Sequence, residues 1–365
     1  MPRLLAPLLA VGLGAACLAA AGCSQDSAIA VYPTADLRPP CLVEAGPTGA
    51  RSVLLRFDEA VTPVNDSFAS EPQALLSGRA ESESLVIDFD SDQSPGADYA
   101  LAGEVDDLCG NRTRFLVRFV GWNGRASPLL LSEVLPCKNV SLSKPHRDFI
   151  ELEVQADGNI GGEELSWTSS VKTANYRFPC IEVKKGDLIV LHLAPEGIPA
   201  ECDELGSDLS ASGGVDATAT GRDLWCTAMA LPDACGVVSL AVRPGSPPVD
   251  GLFYADDSKS GALGEGKLAD MLSSLAKAGA WPASGSSPVW GDGVPWSGST
   301  AKSLCRSGPG KGPAAWYISA SGAQSPGSPN AAVSAPSSAG KTASAAKAAG
   351  KQTAVAKALK RAAKK

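Results

Sequence analysis

Along "SVLLRFDEAV" the apolar positions Val53, Leu55 and Phe57 alternate with polar neighbours, and "ESLVIDFD" repeats the pattern with Leu85, Ile87 and Phe89. A period of two is what a strand with one face on a core requires, so both stretches predict half-buried strands, and the Pro and Gly residues between them predict turns. Further along, "LLLSEVL", "DFIELEV" and "ELSWTS" around Trp167 read as strands as well. "YRFPCIEVKKGDLIVLHLA" predicts a turn at Lys185 and Gly186 followed by a continuously apolar strand, and "GVVSLAVRPGSPPVDGLFYA" a hairpin around Pro244 and Gly245. One stretch has helical spacing instead. In "KLADMLSSLAKAG", Leu268, Met271, Leu272 and Leu275 share a face and Gly279 follows as a stop.

The expected fold is therefore all-β, in two units over residues 31–122 and 128–330. The second carries an insertion over about 256–306 that contains the helix. Residues 331–365 form a low-complexity, Ala- and Lys-rich basic tail, expected to be disordered. Eight of the chain's 32 basic residues, and none of its 39 acidic ones, fall in 341–365, so an acidic body precedes a cationic end.

The N-terminus has Arg3 and then an apolar run over residues 4–18, the layout of a secretory signal and too short to span a bilayer. "LAAAGC" at 18–23 resembles the lipobox of bacterial lipoproteins. The resemblance implies a signal peptide over 1–22, acylation of Cys23, a short linker over 23–30 and attachment to the cell envelope, on the outer membrane or a periplasmic face. Cleavage after Ala30, at the small-x-small "AIA", is the other reading. Two of the ten cysteines, Cys17 and Cys23, lie in this leader region. The remaining eight, Cys41, Cys109, Cys137, Cys180, Cys202, Cys226, Cys235 and Cys305, are an even number in an oxidising compartment and are expected to form disulfides. No C-x-x-C spacing and only two histidines, His146 and His192, are present to build a zinc site, and no cofactor is called for.

"SPGADYALAGEVDDLCGN" resembles the closing part of bacterial immunoglobulin-like domains, with a Pro-Gly turn, a Tyr-bearing strand and an Asp-x-x-Gly-Asn turn. Cys109 departs from that pattern, which fits pairing with Cys41, since those two are alone in the first unit. In order, the Ser-Glu-Val strand, the Phe-Ile-Glu-Leu strand, the Leu-Ser-Trp element and the closing Pro-Gly-x-x-Asn at 326–330 resemble the lamin tail domain. Together the resemblances imply two immunoglobulin-like β-sandwich domains in tandem.

Glu133 and Glu151 are the obvious candidates for a catalytic carboxylate pair. On the lamin-tail resemblance they belong to the fold's own pattern and serve loop amides or a nearby arginine, because a buried carboxylate needs partners. Glu151→Gln would then lower stability. "DFDSD" sets Asp88, Asp90 and Asp92 at spacing two but lacks the rest of a calcium loop, so a solvated strand face is expected. His146 reads as a loop histidine and His192 as a strand-surface one. Trp281, Trp290 and Trp296 sit in a Gly-, Ser- and Pro-rich stretch, either as an aromatic platform for a glycan or peptide or as a cover on the sandwich. Lys357, Lys360, Arg361, Lys364 and Lys365 offer weak, salt-sensitive attachment to a nucleic acid or other anionic polymer.

The function expected from all this is a non-enzymatic envelope lipoprotein that adheres, scaffolds or binds a protein or glycan partner. The alternatives are an accessory of a secreted nuclease or hydrolase, which lamin-tail-like domains often accompany, and polyanion capture by the tail.

Overall fold

The computed structural model describes residues 36–138, 146–285 and 287–331, in two compact units, Met1–Gly124 and Arg125–Lys365. Both are built of β-sheets, as the alternation predicts.

The first unit comprises β1 (Leu42–Gly49), β2 (Ser52–Phe57), β3 (Val61–Pro63), β4 (Ala69–Glu71), β5 (Leu76–Glu81), β6 (Ser84–Phe89), β7 (Asp98–Asp107) and β8 (Arg112–Val120). One sheet runs β1-β2-β6-β5. In the other, β7 pairs β3 and β4 along one edge and β8 along the other. Val53, Leu55, Phe57, Leu85 and Ile87 of the first sheet meet Leu101, Val105 and Phe115 of the second in one core. The turn at 107–111 is closed by Gly110 at φ 88°, which a side chain would resist, and by Asp107 accepting from the amides of Cys109 (2.8 Å) and Asn111 (2.7 Å).

The second unit contains β9 (Leu129–Leu135), β10 (Phe149–Val154), β11 (Gly158–Asn159), β12 (Glu164–Thr168), β13 (Thr173–Arg177), β14 (Glu182–Val183), β15 (Leu188–Leu193), β16 (Arg222–Cys226), β17 (Gly236–Ala241), β18 (Pro248–Asp256), helix α1 (Lys267–Lys277), β19 (Val294–Trp296), β20 (Leu304–Arg306) and β21 (Trp316–Ile318). A six-stranded sheet, β16-β15-β10-β9-β20-β21, packs on a five-stranded one, β13-β12-β17-β18-β19. Val134, Ile150, Leu191 and Leu304 form one side of the core; Leu165, Trp167, Val238 and Leu252 form the other.

Across this core runs one ion pair. Arg306 on β20 makes two bonds to Asp250 on β18, at 2.8 and 2.6 Å, and both side chains are almost wholly buried. The remaining donors and acceptors are also engaged. Arg306 Nε donates to the Leu131 carbonyl (2.5 Å), Nη1 to that of Gly310 (2.6 Å), and the Leu131 amide donates to Asp250 (2.9 Å).

Both sheets of this unit are covered on their outer faces too. The five-stranded sheet is covered by α1, whose Leu268, Leu272 and Leu275 are buried. Leu275 lies against Gly251, where a Cβ would come within 2.6 Å of it. The predicted helix, its apolar face and its stop at Gly279 (φ 65°) are all observed. The six-stranded sheet is covered by irregular chain, residues 194–221 and 319–331.

Several expectations are corrected. The segment 256–306 is not wholly an insertion. β19 pairs β18 in parallel and β20 pairs β9, so its end is part of both sheets; strands of three residues are too short to show a period. β16, unmarked in the sequence, pairs in parallel with β15. The tryptophans do not form an exposed platform. Trp281 and Trp296 are 1% exposed, their indole N–H groups bonded to the carbonyls of Asp292 (2.9 Å) and Asp233 (2.8 Å), and Trp290 packs against the same core.

The expected disulfides are also absent. Cys41, Cys109, Cys137, Cys180, Cys202, Cys226, Cys235 and Cys305 are free thiols. Cys41 Sγ turns to the Pro39 carbonyl (3.8 Å), while Cys109 is held in the Asp107 turn. Cys137 donates to the Asp233 carbonyl (3.2 Å) and Cys202 to that of Ala211 (3.3 Å). Cys180 accepts from Asn159 (3.3 Å), Cys226 from the Ala228 amide (3.4 Å), and Cys305 lies beside Ser303 (3.5 Å). The buried ones serve as small apolar fillers.

Asp250→Ala should destabilise the second unit by about 3–5 kcal/mol, because Arg306 would remain buried and unpaired. The double change Asp250→Leu with Arg306→Met should recover most of that loss. Denaturant unfolding followed by tryptophan emission measures both, since every tryptophan but Trp122 lies in this unit.

Candidate functional site

The outer face of the six-stranded sheet is where the titratable residues gather. Register places Tyr317, Cys305, Glu133, Glu151, Val190 and Asp223 on one rung across all six strands, and Leu135, Phe149, His192 and Trp225 on the next. A period of two puts them on the face opposite Ile150 and Leu191. An ordinary sandwich would leave that face wet; here Glu133, Glu151, His192 and Asp223 are all 0% exposed.

The reason lies in the covering chain. Irregular backbone carries amides with no ladder partner, and burying one unpaired costs about 1–3 kcal/mol. The carboxylates receive them. Glu133 accepts from the Ser325 amide (3.1 Å), the Ser325 hydroxyl (2.8 Å) and the Ser303 hydroxyl, and Glu151 accepts from the Gly327 amide (2.7 Å). The expectation that these two glutamates serve loop amides is met, with Ser325 and Gly327 as the donors.

The same device recurs along 194–221. Glu201 accepts from the amides of Glu196 (2.8 Å) and Gly197 (2.7 Å), Glu204 from Ser212 (3.0 Å) and Asp223 (2.9 Å), and Asp223 from Thr218 (2.9 Å). His192 is not a surface residue. Its Nε2 lies 2.7 Å from Asp223 and its ring stacks on Trp225, with centroids 4.2 Å apart. His146, the loop histidine, lies 2.8 Å from Asp216, whose other oxygen takes the Arg147 amide (2.8 Å). Both histidines thus engage the C-terminal end of the long loop, while Arg147 bonds Glu196 near its start (2.5 Å).

Enclosure shifts the acids. Burial, and then the neighbouring Glu133, push the Glu151 carboxyl up to about 8. Burial raises Glu133 as well, its serine partners opposing the shift. Burial and then Glu133 move the Cys305 thiol up to about 12, which leaves it unreactive. Beyond the rung, Asp148 is pushed up to about 7 and Glu163 to about 8, each by burial foremost. Glu163 was missed by sequence reasoning. It is 1% exposed, and neither oxygen has a hydrogen-bond partner among the described residues.

A groove of about 440 Å³ runs along the margin of this face, floored by Leu130, Ser132 and Leu188 and walled by Ser307, Pro309, Pro329 and Asn330. Glu133 and Glu151 are not among its lining residues. In the first unit Asp88 bonds Arg79 (2.6 Å) and Asp92 bonds Arg51 (2.5 Å), as a solvated strand face would. Asp36, Glu59 and Asp107 have carboxylate oxygens within 4.8 Å of one another, but Asp107 is taken up by its turn. The acylation candidate Cys23 and the tail candidates Lys357, Lys360, Arg361, Lys364 and Lys365 lie outside the described residues.

These shifts reverse the expected effect of Glu151→Gln. A glutamine resembles the protonated acid and still accepts from Gly327. A carboxyl raised from 4.5 to about 8 favours the folded state below 4.5 and loses that contribution as pH climbs through 8. The unfolding midpoint should therefore fall between about pH 5 and about pH 8. Glu151→Gln and Glu163→Gln should each remove a slope of up to ~1.4 kcal/mol per pH unit and raise the midpoint at pH 8. Thermal scans over a pH series measure this.

Residues 127–334 match the profile of TP_1001_2nd, described as a protein second domain. A Treponema pallidum (strain Nichols) sequence described as an uncharacterized protein is 31% identical over 138 residues, 38% of this chain and 34% of that protein. The chain thus matches about a third of the relative's length. The crystal structure of dimeric latent PorU from Porphyromonas gingivalis aligns at 12% identity over 61% of this chain and 21% of that chain, with a TM-score of 0.17. That score supports no structural argument. The match to the family profile takes in the whole two-sheet sandwich and more than half of the chain, which therefore belongs, through its second unit, to the TP_1001_2nd family.

Proposed function

We propose that the protein is a non-enzymatic binding or scaffolding module of the cell envelope, held to a membrane by acyl groups on Cys23. The observation that carries this reading is the use made of the acids. A hydrolase that works through a carboxyl pair needs those carboxyls in contact with substrate. Here Glu133, Glu151, Asp223 and Glu204 are enclosed and directed to backbone amides of their own chain. A surface open to a partner is the groove beside residues 329–330. Its apolar floor at Leu130 and Leu188, with polar walls at Ser307 and Asn330, suits an extended peptide or a glycan. The cationic residues of the tail would add a weak, salt-screened attachment to an anionic polymer or surface.

Two measurements test the reading. Cells fed labelled fatty acid should label the wild-type chain and leave Cys23→Ala unlabelled; equal labelling would remove the anchor from the proposal. A photo-crosslinking residue at Leu188 or Pro309, on the full chain in its native cells, should give one defined adduct that the same residue at exposed Val171 does not. Adducts identical from all three positions, or a hydrolytic activity abolished by Glu151→Gln in a stably folded chain, would overturn it.

A further inference from the structure

We propose that residues 319–331 are a pH-released clasp, closed over the six-stranded sheet while Glu133 and Glu151 share a proton and lifted when that proton is lost. The segment consists of Ser, Ala, Gly, Gln, Pro and Asn. With no large apolar side chain to bury, its adhesion rests on polar contacts. At its start Ser319 exchanges bonds with Ser303 (both 2.9 Å) and the Gly322 amide donates to the Ala301 carbonyl (2.7 Å), which fixes the end from which the rest would lift. Ser325 binds Glu133 through its amide (3.1 Å) and hydroxyl (2.8 Å), and the Gly327 amide binds Glu151 (2.7 Å). Asn330 Nδ2 donates to the Ser132 carbonyl (3.0 Å), and the Ala331 carbonyl accepts from the Tyr317 hydroxyl (2.5 Å). Beyond Gly322, apart from a long contact of Ser328 with Thr220 (3.5 Å), the segment is held to the sheet at Glu133, Glu151, Ser132 and Tyr317, and two of these four are the carboxyls of one pair.

That pair is poorly placed to carry two charges. Glu133 and Glu151 are direct cross-strand partners, and like charges so placed repel. The groups around them are Ser132 on β9, Phe149 and Glu153 on β10, Ser303 and Cys305 on β20, Tyr317 on β21, Val190 on β15 and Asp223 on β16, with the clasp's own Ser325 and Gly327 above. The one basic side chain on these rungs, His192, is held by Asp223. Neither glutamate has a Lys or Arg partner among the ion pairs of the described residues. Oε1 of Glu151 has no hydrogen-bond partner there either. Two enclosed carboxyls in this position behave as a dyad holding one proton.

Loss of that proton to solvent leaves two charges in a dry site, and the least costly relief is to admit water by lifting the segment above them. The sheet beneath stays in place because its inner face is in the apolar core. In the closed state Glu151 sits at about 8 against an ordinary 4.5. Closure is therefore complete at low pH and lost as pH rises through 8, with opening growing by up to about tenfold per pH unit in between.

The test is amide hydrogen exchange on the full chain from about pH 5.5 to about pH 8.5, corrected for the intrinsic pH dependence of exchange. The amides of Ser325 and Gly327 should lose protection by about tenfold or more across the range, while core amides of Leu191 and Val238 stay protected. Glu151→Gln should keep the clasp protected throughout. Protection at Ser325 and Gly327 that is independent of pH, that falls equally in Glu151→Gln, or that is lost only together with Leu191 and Val238 would overturn the proposal. If Glu151→Gln does not fold, Glu133→Gln removes the other charge, and the same outcomes decide.

Discussion

The second unit is governed by one constraint: its six-stranded sheet is buried on both faces, and the chain covering the outer face is irregular. A helix covering a sheet brings its backbone already bonded to itself, so it needs only apolar side chains underneath. Irregular chain brings unpaired amides. The sheet must then present acceptors, and the strongest available are carboxylates. Glu133 and Glu151 under 319–331, and Asp223 under 194–221, follow from that requirement.

The two outer layers show the alternatives within one fold. Over the five-stranded sheet, α1 places Leu268, Leu272 and Leu275 against apolar neighbours and Gly251. Over the six-stranded sheet the cover is polar, and its enclosed acids pay in raised protonation constants. Between the layers, Arg306 and Asp250 tie the two sheets through the core. Their desolvation is offset by a two-bonded geometry and by backbone partners for most of what remains.

Much of this was legible in the sequence. Alternation at Val53, Leu55 and Phe57, the hairpin at Pro244 and Gly245, and the apolar face of α1 all stand as their patterns imply. The pairing of Glu133 and Glu151 with loop amides was legible too. What failed did so for one physical reason. A period of two tells which residues share a face, but not whether that face is wet. His192, between Leu191 and Leu193, has the pattern of a surface residue and is wholly buried, because Asp223 and Trp225, some thirty residues on, are brought against its ring by the intervening loop. Glu163 carries no periodic signal at all. The tryptophans near α1 lie in a stretch with turn composition, yet Trp281 and Trp296 belong to the core, since their N–H groups reach carbonyls that only the folded chain brings near.

The asymmetry between the covers also separates stability from responsiveness. Apolar contacts under α1 do not change with proton concentration, so that side of the sandwich holds its shape wherever the domain is folded. The side covered by 319–331 is held through groups that titrate, and the groove lined by Pro329 and Asn330 belongs to that side. A change in the protonation of Glu151 therefore reaches the groove wall within three residues of Gly327, through backbone alone and with no rearrangement of the core. The polar cover is the less stable way to bury a sheet. It is also the only one of the two that couples a surface groove to the state of the solvent.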